Sequence, residues 1–441
     1  MANTYLTRTP SSAGNRRTFT ISVWFKRTGL DQSNYIFDCD GGSAQSENVL
    51  GLYEDRLGFS VWNSSTSSSA VDIRVARKLR DTNAWYHVVC AVDTTQATAS
   101  NRVKIYLNGE LQTSLTSTTY PSQNYETAIN SAIAHDIGRW SDGAGRYFNG
   151  LMSHFHFIDG TAYDADTFGE EDSTTGEWKI KTSPSVTYGT NGYALFTNDA
   201  TGTDTSGNSN DFTVSGGTLT ATQDSPSNVF ATMNDLDNYY FGGTFSNGNN
   251  TVASVSSVES YWTSSLGASS GKYYWEVKIS ASGSDREFIG IADKVSEVTS
   301  FSAYSGNNKM RSYYGHSGSS VIGSTGSSFG ATFGTGDIIG VAMDLDNHKI
   351  YYSKNGAWQG SGNPTTGSNG LDIDTSPASG FYYAQGGNIH DTASTFQTNF
   401  GNGYFGTTEV SSAGTNASGI GIFEYDVPTG FTALSTKGLN L

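Results

Sequence analysis

Charge is scarce in this chain: 15% of its 441 residues are Asp, Glu, Lys or Arg, against about 25% in an ordinary globular protein. Low charge can mark disorder, but 25 Tyr, 23 Phe and 8 Trp supply far more apolar surface than disordered chains carry. Cysteine is nearly absent. Cys39 and Cys90 both fall inside apparent strands, too few for a disulfide scaffold, and read as small buried hydrophobes. No run of about 18 apolar residues exists, so no membrane insertion is expected. The opening MANTYLTRTPSSAGNRR lacks the apolar segment of a secretory signal, and the expectation is a protein that does not enter a Sec-type pathway by itself. Basic residues are outnumbered, 25 Lys+Arg against 41 Asp+Glu for a formal charge of −16. A phosphate backbone would be repelled, which argues against nucleic acid as a partner. Long amphipathic helical patterns are also missing.

What the chain has is turns and short strands. Its 52 Gly, with many Ser, Thr and Asn, separate short aromatic and β-branched runs, the pattern of an all-β protein. Two hairpins anchor the reading. DIIGVAMDLDNHKIYYSKNGAW (337–358) is two strands joined by a tight polar turn, and WYHVVCAVD followed by NRVKIYLNGEL (85–111) repeats the motif in the first half. In both, Lys-Ile-Tyr leads to an Asn-Gly that supplies positive φ. In TFTISVWFK, Phe19, Ile21, Val23 and Phe25 share one face and Thr20, Ser22, Trp24 and Lys26 the other; in KYYWEVKIS, Tyr273, Trp275, Val277 and Ile279 oppose Lys272, Tyr274, Glu276 and Lys278. The predicted fold is therefore all-β, with two β-sandwich domains.

Ordered blocks in the first half, YLTRTPSSAGNRRTFTISVWFKR, AWYHVVCAVD, RVKIYLNGEL, IGRW and YFNGLMSHFHFIDGTAYDADTFGE, resemble the laminin-G-like, concanavalin A-like jelly roll in the form common in tailed-phage structural proteins. The resemblance covers 1–170. Residues 171–225, rich in Gly, Ser, Thr, Asn and Asp, read as an ordered connector, with short strands in GTNGYALF and NDFTVSG. From 226 to 441 the order GKYYWEV, FIGIAD, GDIIGVAMDLDNHKIYYSKNG, a late FYYA and Asn-Phe-Gly resembles the SPRY (B30.2-like) domain, a second sandwich.

Because concanavalin A-like folds include glucanases, catalysis has to be weighed. Retaining glycosidases need two carboxylates about 5 Å apart, and the strand pattern Glu-x-Asp-x-x-Glu is missing. Glu170, Glu171 and Asp172 lie in a loop-like context, and Glu424 and Asp426, though spaced i, i+2, precede a Pro-Thr-Gly turn. There is no H-E-x-x-H and no phosphate-cradling loop, since GTFGTGDIIG leads into a strand rather than a helix N-terminus. His154 and His156 share a face about 7 Å apart if their strand is regular, and without an evident third ligand they read as polar sheet positions, so no metal site is assigned. Asp38, Asp40 and Gly41, or Asp199, Asp204 and Asn208, offer hard oxygen ligands of the kind calcium takes, and turn capping accounts for them equally. No cofactor is expected beyond that calcium alternative.

Aromatic residues in loops remain as ligand-binding candidates, since a planar ring stacks on a sugar face at low entropic cost. They are Arg139, Trp140 and Tyr147 around WSDGAGRY, Tyr304, Tyr313, Tyr314 and His316 in a long middle loop of the second domain, and Trp358 after its Asn-Gly turn. For each, packing is the competing explanation. The resemblance implies a non-enzymatic protein of the phage virion surface, a tail-fibre, appendage or capsid-decoration subunit assembled in the host cytoplasm. Its partners would be other virion proteins and a host-surface glycan or receptor, with a homo-oligomer, a trimer if a fibre, as the expected assembly. The alternatives are a stand-alone lectin or adhesin and, further off, a polysaccharide-degrading enzyme.

Overall fold

The computed structural model describes residues 3–30, 33–141, 146–197, 199–240, 242–256, 258–283, 286–293, 310–322, 325–389 and 392–440. They form two compact units, Met1–Ala221 and Thr222–Leu441, and both are all-β, with no α-helix among the described residues.

The first unit packs an eight-stranded sheet on a six-stranded one. The larger sheet runs Leu115–Thr119, Ser68–Lys78, Arg56–Asn63, Glu47–Tyr53, Asn34–Cys39, His135–Ile137, Tyr5–Arg8 and Thr213–Ser215. The smaller runs Tyr193–Leu195, Gly150–Asp159, Thr18–Arg27, Trp85–Asp93, Val103–Leu107 and Glu110–Leu111. The strand period of two decides what lies between them: Phe19, Ile21, Val23 and Phe25 meet Ile36, Phe37, Leu50, Phe59 and Ile73 in one core, all buried. Removing each such side chain from water is worth roughly 1.5–3 kcal/mol. Cys39 and Cys90 are unpaired members of this core.

Residues 171–225, read from sequence as a connector, contribute strands to both sheets of this sandwich. Tyr193 pairs with Phe157, and Tyr5 with Ser215; only 222–225 fall in the second unit. The outer face of the six-stranded sheet is not solvated either. Residues 161–190 lie across it, placing Phe168, Tyr163, Trp178 and Tyr188 on Val89, Ala91, Tyr106 and Ile158. This third layer is why Thr20, Ser22, Trp24 and Lys26, the polar-looking face of their strand, are all buried.

The second unit packs a seven-stranded sheet, Met233–Tyr240, Ser260–Ala268, Tyr382–Asn388, Glu287–Ala292, Arg311–Tyr314, Ser319–Ile322 and Thr325–Ser328, on a nine-stranded one. Lys272–Ala281 lies inside the nine-stranded sheet, between Thr395–Asn399 and Ile338–Asp344, the latter followed by Lys349–Lys354 and Ala357–Trp358. Tyr273, Trp275, Val277 and Ile279 face the core. On the opposite face Tyr274 packs with Phe423, Val427 and Phe431 of the C-terminal segment. Glu276, fully buried there, accepts the N–H of Glu424 and of Tyr425 (2.8 Å each) and the Tyr274 hydroxyl (3.0 Å).

Candidate functional site

In the first unit the described segments 138–141 and 146–148 pair as two arms of a hairpin and assemble three of the predicted residues. Gly138, at φ 87°, takes a left-handed conformation directly after His135–Ile137 and still donates its N–H to Ile36 O (3.0 Å). The arms are then zipped by Trp140 N–H to Arg146 O (2.9 Å), Phe148 N–H to Gly138 O (2.8 Å) and a bridge between Arg139 and Tyr147. Two buried carboxylates on adjacent strands hold it down. Asp38 Oδ2 accepts the backbone N–H and hydroxyl of Ser141 (2.8 and 2.6 Å), and Asp136 Oδ2 accepts Arg139 Nε–H (2.9 Å). Burial drives the Asp38 carboxyl up to about 7 in spite of those hydrogen bonds.

On the outer face of the eight-stranded sheet this hairpin starts a row of rings and guanidinium groups. Arg139 lies 3.5 Å over the Tyr5 ring, and Tyr147 stands 6.4 Å from the same ring. Trp140 stacks on Tyr35 (5.9 Å, 14°), Tyr35 meets Tyr53 edge-on (6.1 Å, 80°), and Arg74 caps Tyr53 at 4.6 Å. Arg146 covers Trp140 at 4.1 Å and donates to the Tyr35 hydroxyl (3.1 Å). Gly58 gives the Tyr53 ring its place on the sheet: a Cβ there would sit 3.3 Å from Cδ2 of Tyr53. The Tyr53 hydroxyl reaches Ser60 Oγ (2.9 Å). Tyr5, Tyr53, Trp140 and Tyr147 are half-buried and Arg146 is exposed, so the row presents ring edges and cationic groups while its inner atoms are packed. Planar rings flanked by N–H donors are suited to the apolar face and hydroxyls of a sugar. Tyr5, Tyr35, Tyr53 and Arg74 were not selected from sequence, because only strand pairing brings residues so far apart in the chain onto one face.

The other predicted residues are not brought together. Tyr304 lies outside the described residues. Tyr313, expected in a loop, is instead in the strand Arg311–Tyr314 and fully buried, its ring against Phe333 (4.9 Å) and Phe329 (5.4 Å) and its hydroxyl donating to Ala331 O. It is a core residue and offers no surface to a ligand. Tyr314 is half-buried beside exposed His316, 6.2 Å between rings. Trp358 follows the Asn-Gly turn and folds back on the sandwich, meeting Tyr274 edge-on at 6.5 Å. A shallow groove of about 380 Å³ between Gly271–Tyr273, Asp346, Ser418 and Phe431 contains none of the predicted residues.

The carboxylates considered for chemistry are engaged locally. Glu424 accepts Ser411 N–H (2.9 Å) and Asp426 accepts Thr415 N–H (2.7 Å), so both tie 424–426 to the segment 411–415. Asp204 takes the N–H of Ala194, Ser206 and Asn210 (2.9, 2.8 and 2.8 Å), Asp199 that of Thr201 (3.2 Å), and Asp40 that of Gly42 (2.8 Å), so donors point at the oxygens a calcium ion would need. A bulge between Ser153 and His156 displaces the first of the two histidines, which adopts φ 48°; their rings lie 6.3 Å apart and His156 Nδ1 is bonded to the Tyr188 hydroxyl (2.9 Å). Among the described residues no three His, Cys, Asp or Glu converge as for a metal. The stretch GASSG at 267–271 has the G-x-S-x-G spacing of a nucleophile elbow, but it joins strands Ser260–Ala268 and Lys272–Ala281 and opens no helix, so the exposed strand-to-helix turn is missing.

Comparison with known proteins agrees with this architecture. Residues 2–166 match the concanavalin A-like lectin/glucanases superfamily and residues 272–367 the SPRY domain. The chain is similar to Ran-binding protein 9 of Danio rerio and of Homo sapiens, 37% identical over 95 residues, which is 21% of this chain and 16% and 13% of theirs. The match thus spans less than a fifth of those relatives. Among solved structures it is similar to the SPRY domain of human HERC1 (17% identity, 38% of this chain and 96% of that one, TM-score 0.30). It is also similar to a heptameric SAP-like pentraxin from Limulus polyphemus (18% identity, 36% and 71%, TM-score 0.28).

Proposed function

We propose that this is a non-catalytic binding protein whose first sandwich takes carbohydrate on the aromatic row of its eight-stranded sheet. The observation that carries this reading is the stack of Trp140 on the buried Tyr35 with Tyr53 beyond it, on a face where Tyr5, Tyr53, Trp140 and Tyr147 remain half open. On the opposite sheet residues 161–190 occupy the outer face, so a sugar has no place there. Asp38, Asp136, Glu424 and Asp426 are each engaged by structural N–H donors, which supports binding without hydrolysis. No resident cofactor is part of the proposal.

A glycan array with the purified chain tests it. Trp140→Ala is expected to lose tenfold or more in affinity, in line with the roughly 1–3 kcal/mol carried by a stacked ring, while Trp140→Phe keeps most of it. Trp358→Ala is expected to bind as the parent does. Unchanged binding by Trp140→Ala would place the ligand elsewhere, and release of reducing ends from a bound polysaccharide would overturn the non-catalytic assignment.

For the second sandwich the SPRY match favours a protein partner. The relatives' name says that they bind Ran, and that remains a statement about them. The finer setting, a subunit of a tailed-phage virion surface holding a host glycan, rests on the likeness of the first-half blocks and of the GTNGY and GNSNDFTVSG stretches, whereas the relatives named above are animal proteins. Mass spectrometry of purified particles decides that setting, and absence from the particle would remove it.

A further inference from the structure

We propose that the aromatic row selects acidic saccharides, with Arg146 reading the sugar carboxylate. This rests on the row being a carbohydrate site and adds the class of sugar it takes. Three guanidinium groups lie on the row, and they are not equivalent. Arg139 is neutralised by Asp136 (2.9 Å) and Arg74 by Asp72 (2.8 Å). Arg146 forms no ion pair with any described residue. Arg102 and Arg311 likewise form no ion pair with a described residue, but they spend their N–H groups on backbone carbonyls, whereas Arg146 donates to a side-chain hydroxyl on the row.

An exposed arginine is ordinarily a solvated charge on a mobile stem. Arg146 is instead held at both ends of its reach, by backbone pairing with Trp140 and by its head, which stacks on Trp140 and donates one N–H to the Tyr35 hydroxyl. A guanidinium has five N–H donors in a fixed fork. The bond to Tyr35, its one side-chain bond among the described residues, leaves enough of them for a bidentate grip on a carboxylate whose ring rests on the neighbouring aromatics. Prior fixation lowers the ordering cost of that grip. The overall charge of −16 opposes an acidic polymer only at long range, because the screening length at physiological salt is about 8 Å. Binding is therefore expected to survive 0.15 M salt.

Matched polymer pairs test the inference: polygalacturonate and its methyl ester, and alginate and its propylene glycol ester, immobilised beside neutral glucans. The parent is expected to prefer each acid over its ester by roughly tenfold, the worth of one charge-assisted hydrogen-bonded pair. Arg146→Gln is expected to abolish the preference, bringing acid and ester to equal binding, and Arg146→Lys to restore part of it. Trp140→Phe keeps the preference. Equal binding of acid and ester, or a preference that survives Arg146→Gln, overturns the inference and leaves the carbohydrate reading standing. Binding to no glycan overturns both. Capture of poly-glutamate in preference to every glycan would assign the row to an acidic protein segment and overturn the inference in that way.

Discussion

In the first sandwich Asn108 and Gly109 hold φ of 48° and 84°, and in the second Asn355 and Gly356 hold 49° and 81°, the paired left-handed conformations of a type I′ turn. Asn108 donates its N–H to His87 O (2.9 Å) and accepts the His87 N–H on Oδ1 (2.8 Å); Asn355 makes the same two bonds with Ile338 (2.8 Å each). In both units an aromatic ring from a covering segment lies on the glycine. A Cβ at Gly109 would come within 2.5 Å of the Trp178 ring, and one at Gly356 within 2.6 Å of the Tyr425 ring. The hairpins part company at the residue facing the asparagine. His87 is stacked between Trp24 (4.8 Å) and Trp178 (6.0 Å) and accepts the Trp178 indole N–H (3.0 Å), whereas the second unit has Ile338 there and ties its covering segment through Glu276. One turn thus serves two layers fastened by opposite chemistry, a neutral imidazole in one and a buried carboxylate in the other.

That difference predicts opposite responses to acid, and this is the largest effect expected. Burial lowers His87 and His156 to about 3 and His135 to about 4, and lowers His154 as well. In the unfolded chain each takes a proton near 6.5. Their contribution is therefore intact above about 6.5 and is lost as pH falls toward 4. Asp38, raised to about 7 from 3.8 by burial, works the other way, but a single group opposes at least three. Glu276, raised to about 7 from 4.5 by burial against its hydrogen bonds, binds its proton more tightly folded than unfolded. Its contribution is full below 4.5 and is lost as pH rises through 7. Calorimetry at pH 7.5 and 5 is expected to show the first unit's transition falling while the second's holds or rises. Parallel falls would mean that the carboxylate and the imidazoles are not the dominant groups. His87→Phe is expected to flatten part of the first unit's response.

Next in size are the two turn glycines. Gly109→Ala and Gly356→Ala each force a side chain into φ above 80° and against a ring, a combined cost of about 2–4 kcal/mol. Urea unfolding checks both. If one variant is tolerated, the ring on that turn moves aside freely, and the likeness between the two covering layers ends there.

The turns were legible in the sequence because their chemistry is local: Asn-Gly after Lys-Ile-Tyr states the conformation of the two residues it needs. The core faces of TFTISVWFK and KYYWEVKIS were legible for the same reason, period two over a single strand. What covers the opposite faces was not. Ser22, Lys26 and Glu276 can be placed only on the faces opposite those cores, because nothing nearby in the chain tells that residues 161–190 or the C-terminal segment will cover those faces. The candidate site divides the same way. Arg139, Trp140 and Tyr147 stand within one hairpin and were found together, while Tyr35, Tyr53 and Arg74 join them only through strand pairing. Tyr313 misled because RSYYGH resembles loop sequence; its strand becomes clear only when Phe288 pairs with Tyr314 and Ile289 with Tyr313.

The smallest effect is expected just past the turns, where Leu111 and Trp358 hold the same place relative to Asn-Gly. Leu111 pairs with Tyr106 and is 45% exposed; Trp358 pairs with Ser353 and packs edge-on against Tyr274. Leu111→Ala is expected to change stability by less than about 0.5 kcal/mol. Trp358→Ala is expected to cost about 1–2 kcal/mol, the share of ring burial and edge contact it gives up, with no loss of ligand. A Trp358→Ala variant as stable as Leu111→Ala but unable to bind its partner would reverse the comparison. The ring would then have been kept at the sandwich edge for recognition and not for packing.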